Sequence, residues 1–116
     1  MTRAFIYCAL ATAGVILASC GPEPLAVSGV RGQTLAVVVG QELDITLGTV
    51  GPGEYLSPPT ILYPAVRFLD AAIVPPILPS GPTQRFRFQA VLAGRAIVIF
   101  RHSGGDPTVI DTVNVR

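Results

Sequence analysis

The residue types that could carry chemistry are few in this chain, and their spacing limits what they can do. The single histidine, His102, is followed by Ser103 and, after Gly104-Gly105, by Asp106. These are the residue types of a hydrolytic triad. A nucleophile, however, needs an oriented base within hydrogen-bond reach, and adjacent residues at a strand end point to opposite faces. No catalytic residue is assigned, and the chain is not read as an enzyme; His102 reads as a solvated loop side chain. The acids Glu23, Glu42, Asp44, Glu54, Asp70, Asp106 and Asp111 fall singly along the chain. With no Cys/His cluster at ligand spacing and no Asp/Asn/Gly loop of the calcium type, neither a metal nor a cofactor is expected. Gly51-Pro52-Gly53 precedes neither a helix nor a lysine and is not a phosphate loop. Arg85 and Arg87 share one side of an alternating run; they read as a solvated face with acidic partners across the sheet, an anion-binding patch being the alternative.

The remaining chemistry-bearing residue is Cys20. The segment before it divides as an export signal does. Arg3 supplies a positive start, Ala4 to Ala18 is uncharged and apolar apart from Thr12 and Gly14, and Ser19 and Cys20 close it with small side chains. The run is shorter than the roughly 20 apolar residues of a spanning helix. Leu17-Ala18-Ser19-Cys20 resembles the lipobox of bacterial lipoproteins. The resemblance implies that residues 1–19 are removed as a signal peptide and that the Cys20 thiol forms a thioether to diacylglycerol. With two or three acyl chains the anchor would be effectively permanent, since one chain alone holds only marginally. Localisation is then the bacterial cell envelope after export. Gly21 stands where an aspartate would signal retention in the inner membrane, so the outer membrane is expected if the organism has one. Plain secretion and a buried N-terminal helix are the competing readings of the same segment.

The 97 residues from Cys20 onward suffice for one domain with a modest core. Cys8 leaves with the signal and Cys20 takes the lipid, so packing alone must hold the domain, without a disulfide. Every basic residue is arginine, and beyond Cys20 seven arginines balance seven acids. A balanced charge gives no footprint for nucleic acid and none for electrostatic docking to a membrane. The membrane contact expected here is the lipid on Cys20, with an unknown protein or envelope component as the further partner.

The mature chain reads as strands bounded by glycine and proline. Gly21 to Pro24 is a tether within a 20–33 segment that could include a first edge element, and the sandwich proper is placed at 34–116. Thr34 to Val39 is rich in β-branched residues. Glu42 to Leu47 alternates, with Leu43, Ile45 and Leu47 on one face and Glu42, Asp44 and Thr46 on the other. Gln84 to Ala90 places Phe86, Phe88 and Ala90 on one side and Arg85, Arg87 and Gln89 on the other. Ala96, Val98 and Phe100 form an inward face, while Ile97 and Ile99 on the opposite side suggest a central strand or a covered outer face. Val109 to Val115 is expected as a closing edge strand. Leu62, Ala65, Val66, Leu69, Ala72 and Ile73 also fit helical spacing; a strand at Ala65–Leu69 is favoured by its neighbours. Eight of the eleven prolines lie between Pro52 and Pro82, which excludes central strands there. About seven short strands with regular turns predict an all-β, immunoglobulin-like β-sandwich.

Gly40-Gln41-Glu42-Leu43-Asp44-Ile45-Thr46-Leu47, a Gly/Pro loop ending in Gly53-Glu54-Tyr55, and Ala93-Gly94-Arg95-Ala96-Ile97-Val98-Ile99-Phe100-Arg101 together resemble the chagasin-type inhibitors of papain-like cysteine proteases. That resemblance implies an immunoglobulin-like domain blocking a protease with three loops at one end. The first such loop ends in Thr-Gly-Tyr or Thr-Gly-Phe, whereas Glu54 here separates Gly53 from Tyr55. The last carries Arg-Pro-Trp; Arg101 matches, and His102 and Ser103 replace the other two. The middle loop of that family is Gly-rich, and Pro79-Ser80-Gly81-Pro82 matches it poorly. The expected working surface is therefore the loops Thr49–Tyr55, Pro79–Pro82 and Arg101–Asp106, with Gly53, Tyr55, Ser80, Gly81, Arg101 and His102 as candidate binding residues. The favoured function is a non-catalytic binding or envelope-structural module, because the inhibitor loops lack Pro and Trp beside Arg101 and gain Glu54; the alternative is a chagasin-like inhibitor with altered loops. Tyr55, Leu56, Ile61, Leu62 and Tyr63 among the prolines would form either a minor core under a long loop or an exposed recognition surface.

Overall fold

Strict alternation of apolar and polar side chains is what assembles this domain. The computed structural model describes residues 22–29, 31–49, 52–75 and 83–116, so Cys20, Ser80 and Gly81 lie outside the described residues. Eight strands form: β1 (Leu25–Ser28), β2 (Thr34–Val37), β3 (Glu42–Thr49), β4 (Thr60–Leu62), β5 (Val66–Val74), β6 (Thr83–Ala90), β7 (Gly94–Phe100) and β8 (Val109–Val115). They make two four-stranded sheets, ordered β1-β3-β6-β5 and β2-β8-β7-β4. β1 pairs parallel with β3, and β2 parallel with β8. The other pairings are antiparallel.

The inward residues of both sheets meet in one core. Leu43, Ile45 and Leu47 of β3, Phe86 and Phe88 of β6, and Val98 and Phe100 of β7 are all fully buried, as their parity in the sequence requires. Phe86 and Phe100 meet edge-on at 5.0 Å between ring centroids, and Phe68 packs 5.6 Å from Phe88, within the range where aromatic rings attract one another. On the outer face of the first sheet Arg87 lies 3.3 Å from Glu42 and 3.5 Å from Asp70. These are the cross-strand acidic partners expected for it, in surface pairs that contribute little stability. Arg85 stands opposite Thr46 and Ala72 and faces solvent.

Three features differ from the sequence-based expectation. Val109–Val115 is an interior strand, because the short β2 adds to its free side in parallel. The strand favoured at Ala65–Leu69 forms, but it starts at Val66 and runs nine residues to Val74, carrying an irregularity between Phe68 and Asp70 that shifts its register against β6. The strand count rises to eight because β1 and β4, three or four residues each, are too short to show alternation. Proline keeps to the flanks: the strands of the Pro-rich middle, β4 and β5, are both sheet edges.

The same registers define two ends. Thr49 pairs with Thr83, Val74 with Thr83, and Phe100 with Val109. The connections after β3, β5 and β7 therefore leave from one end, called the loop end here. Leu25 opposite Leu43, Val66 opposite Ala90 and Gly94 opposite Val115 mark the other.

Candidate functional site

At the loop end, residues 52–56 and 101–106 are stitched together by backbone hydrogen bonds. Leu56 donates to the Arg101 carbonyl at 2.8 Å and Ser103 donates to the Glu54 carbonyl at 2.9 Å. The Glu54 N–H donates to Ser103 Oγ at 3.0 Å, and Tyr55 and His102 form a bridge pair. Each loop thus satisfies the backbone groups of the other, as polar backbone removed from water requires.

Gln84, the first inward position of β6, completes the clamp. Its Oε1 accepts from the Tyr55 N–H at 2.7 Å and its Nε2 donates to the Tyr55 carbonyl at 3.0 Å. This side-chain amide acts as a short piece of strand between β6 and the loop, and it is buried. It was not among the candidates drawn from sequence. The signal that could have found it is its parity: a glutamine in step with Phe86 and Phe88 has to satisfy a buried amide.

Tyr55 is 4% exposed, so its ring supports the loop from within and does not project from it. Burial, and secondarily the charge of Asp106, push its phenol pKa up, so it stays protonated. His102 lies edge-on to Tyr55 with ring centroids 4.7 Å apart. Its side chain is only 1% exposed, which corrects the reading of a solvated loop histidine. The physical reason is acceptor chemistry. His102 Nδ1 accepts from the Gly104 N–H at 2.9 Å and more weakly from the Asp106 N–H at 3.4 Å. That arrangement assigns the ring proton to Nε2. Nε2 is 3.5 Å from Asp106 Oδ2, close enough for attraction but not aligned as a hydrogen bond. Ser103 Oγ is occupied by the Glu54 N–H. The side chains of His102 and Ser103 are thus committed to loop backbone, and the Asp106 carboxylate stays exposed beside Nε2.

Gly53 has φ +98°, and a Cβ there would sit 2.6 Å from the Gly104 backbone and 2.9 Å from His102 Cε1. A Cβ on Gly104 would in turn collide with the Pro52 carbonyl oxygen. The two glycines let the loops touch backbone to backbone. Arg101 is exposed, and its Nη1 donates to Thr60 Oγ1 at 3.1 Å. Of the sequence candidates, Gly53, Tyr55, Arg101 and His102 thus converge on one end. The surface they present consists of Pro52, Glu54, Leu56 and Ser103 to Asp106. Leu56 and Tyr63 are exposed, Tyr55 is buried and Ile61 packs against the core, so the aromatic and aliphatic residues among the prolines divide between core and surface. No group of three or more potential metal ligands occurs among the described residues.

Two sheets of this topology with this loop end define a class: an immunoglobulin-like, chagasin-like β-sandwich. Among solved structures, the chain is similar to the cysteine protease inhibitor EhICP2 from Entamoeba histolytica, with a TM-score of 0.65 and 14% identity over 83% of this chain and 100% of that one. It is also similar to amebosin, with a TM-score of 0.50 and 16% identity over 83% and 100% of the two chains. At such identities the likeness establishes the shared fold. The sequence matches no protein-family model and no curated protein.

Proposed function

We propose that this chain is a lipid-anchored, extracytoplasmic inhibitor of papain-like cysteine proteases, binding with its loop end. The observation that carries the reading is the mutual locking of residues 52–56 and 101–106 on a sandwich similar to that of a cysteine protease inhibitor. Loops ordered before binding lose little conformational entropy on binding, and a rigid scaffold is where such folds carry recognition. The export segment and the lipobox-like Leu17-Ala18-Ser19-Cys20 support placement at the envelope surface. One observation favours the second reading, a binding module for another envelope partner: Glu54 is exposed at the tip, and a carboxylate pressed into a protease cleft is costly unless paired.

Titration of the purified protein against a papain-like protease separates the two. Sub-micromolar inhibition that is weakened by Gly53→Ala, whose Cβ would push the two locked loops apart, supports the inhibitor. Full protease activity at saturating protein removes it and leaves the binding module, to be followed by capture from envelope extracts.

A further inference from the structure

The end opposite the loops is unusually apolar for a solvated surface. Three connections meet there through backbone hydrogen bonds: Gly40 donates to Ala90, Ala90 to Gln41, and both Val91 and Leu92 to Ala65. Their exposed side chains are Val38, Val39, Tyr63, Val91 and Leu92, at 38%, 49%, 63%, 37% and 56% exposure. Among the described residues these are five of the nine large hydrophobic side chains left in water, and all five sit on one tip. Tyr63 is held at φ +67°, a conformation that glycine or asparagine would adopt at lower cost. Its place in the turn argues for a role of the ring itself. Arg67, Arg95 and Arg116 are exposed around this end, with Glu23 as the exposed acid beside them.

The direction of β1 says what faces this tip. Because β1 runs parallel to β3, the chain enters the sandwich here, and the Glu23 carbonyl accepts from Gln41 Nε2 at 2.8 Å in the β2–β3 turn. Cys20 is three residues before Glu23, so it lies within about 11 Å of Glu23 even along a fully extended chain, and Glu23 is hydrogen-bonded to the β2–β3 turn of the tip. We propose that this tip docks on the membrane that holds the Cys20 lipid, with Val39 and Leu92 in the acyl-chain boundary and Tyr63 at headgroup level. The proposal rests on the lipoprotein reading above and adds an orientation to it. Aliphatic side chains gain by leaving water. A tyrosine suits the interface, where its ring is apolar and its hydroxyl wet. Arginine heads can remain among the headgroups while their stems cover apolar surface. The loop end then points away from the bilayer, free to meet a protein.

The test uses the full chain, expressed with its signal, purified from membranes and reconstituted into phospholipid vesicles. Val39→Cys, Leu92→Cys and, at the loop end, Glu54→Cys each place one thiol for an environment-sensitive fluorophore. Lipids carrying a quencher high on the acyl chain should quench labels at 39 and 92 several-fold more than at 54 and shift their emission to the blue. Mass spectrometry of the N-terminal peptide independently reads the lipid on Cys20. A lipidated Cys20 with equal quenching at all three positions overturns the docking and leaves the lipoprotein reading standing. An unmodified Cys20 overturns the lipoprotein reading and the docking with it. Labels shielded at 39 and 92 but not quenched by lipid, with cross-links between copies through position 39, assign the tip to self-association and likewise overturn the docking.

Discussion

The loop end depends on a few atoms that leave little freedom for substitution. Gln84 is the residue with most at stake, since both polar ends of its amide are committed to the Tyr55 backbone inside the fold. Gln84→Leu keeps the volume and strips both partners, leaving a buried N–H and a buried carbonyl unpaired. The expected loss is about 2–4 kcal/mol, read as a lower urea midpoint at unchanged slope; a midpoint equal to the parent's would mean that the loop does not need the clamp. Glycine at 53 can be probed in the same way. Gly53→Ala and Gly40→Ala both place a side chain at positive φ, but only the first meets neighbouring backbone, since nothing lies within 4 Å of a Cβ at Gly40. Strain alone costs about 1 kcal/mol at such positions, so the excess loss in Gly53→Ala measures the contact between the loops. Equal losses in the two variants would show that the loops can separate without penalty.

At the level of the element, the connection from β1 to β2 carries the chain from one sheet to the other, and a buried carboxylate fastens it. Asp111 of β8 is fully buried, and its Oδ1 accepts from the Gln33 N–H at 2.8 Å, while Oδ2 has no partner among the described residues. Burial raises the Asp111 pKa, with the Gln33 hydrogen bond acting the other way. An acid whose pKa is higher folded than unfolded binds its proton more tightly in the fold. Its contribution is therefore complete below the unfolded value of about 4 and is lost as pH rises through the folded value. Glu42 has the same sign, raised chiefly by its hydrogen bond with Asp44. Asp111→Asn keeps an acceptor for Gln33 and cannot ionise. The fall in stability with rising pH should be shallower in that variant across the carboxylate range, as measured by urea melts at several pH values; superimposable profiles would place the dependence elsewhere. The same carboxylate shows where sequence reading stops. β3, β6 and β7 are legible because one face of each is buried and the side-chain period is two, which fixed the seven core residues in advance. Asp111 shares the parity of Val109 and Val113, yet its reason for being inside is a backbone N–H of residue 33. The interior position of β8 depends on the same distant partner, the short parallel β2. Pairings between remote segments leave no local pattern, and neither does a histidine that turns inward because its own loop supplies two N–H donors.

For the whole molecule, the parallel entry of β1 ties stability to orientation. β1 is an edge strand of four residues, yet Leu25 and Val27 pack against the core and the strand covers the open side of β3 opposite Leu43 to Thr46. The eight-residue β3 would otherwise present a free row of backbone donors and acceptors over a fully apolar inner face, the arrangement that invites pairing between molecules. A chain starting at Pro22 should therefore fold with the stability of the complete domain. One starting at Gly29 should lose on the order of 2 kcal/mol or more from the burial of Leu25 and Val27 and associate through β3. Urea denaturation reads the first effect and sedimentation velocity the second. A monomeric, equally stable chain from Gly29 onward would reduce β1 to an ornament of the tether. If instead the loss appears, β1 is an integral part of the domain, and the lipid anchoring proposed above would leave only the residues between Cys20 and Leu25 to join the domain to the membrane. Under the proposed anchoring at Cys20, that short link would favour the orientation argued from the apolar tip, because β1 fixes the point at which the chain enters the sandwich.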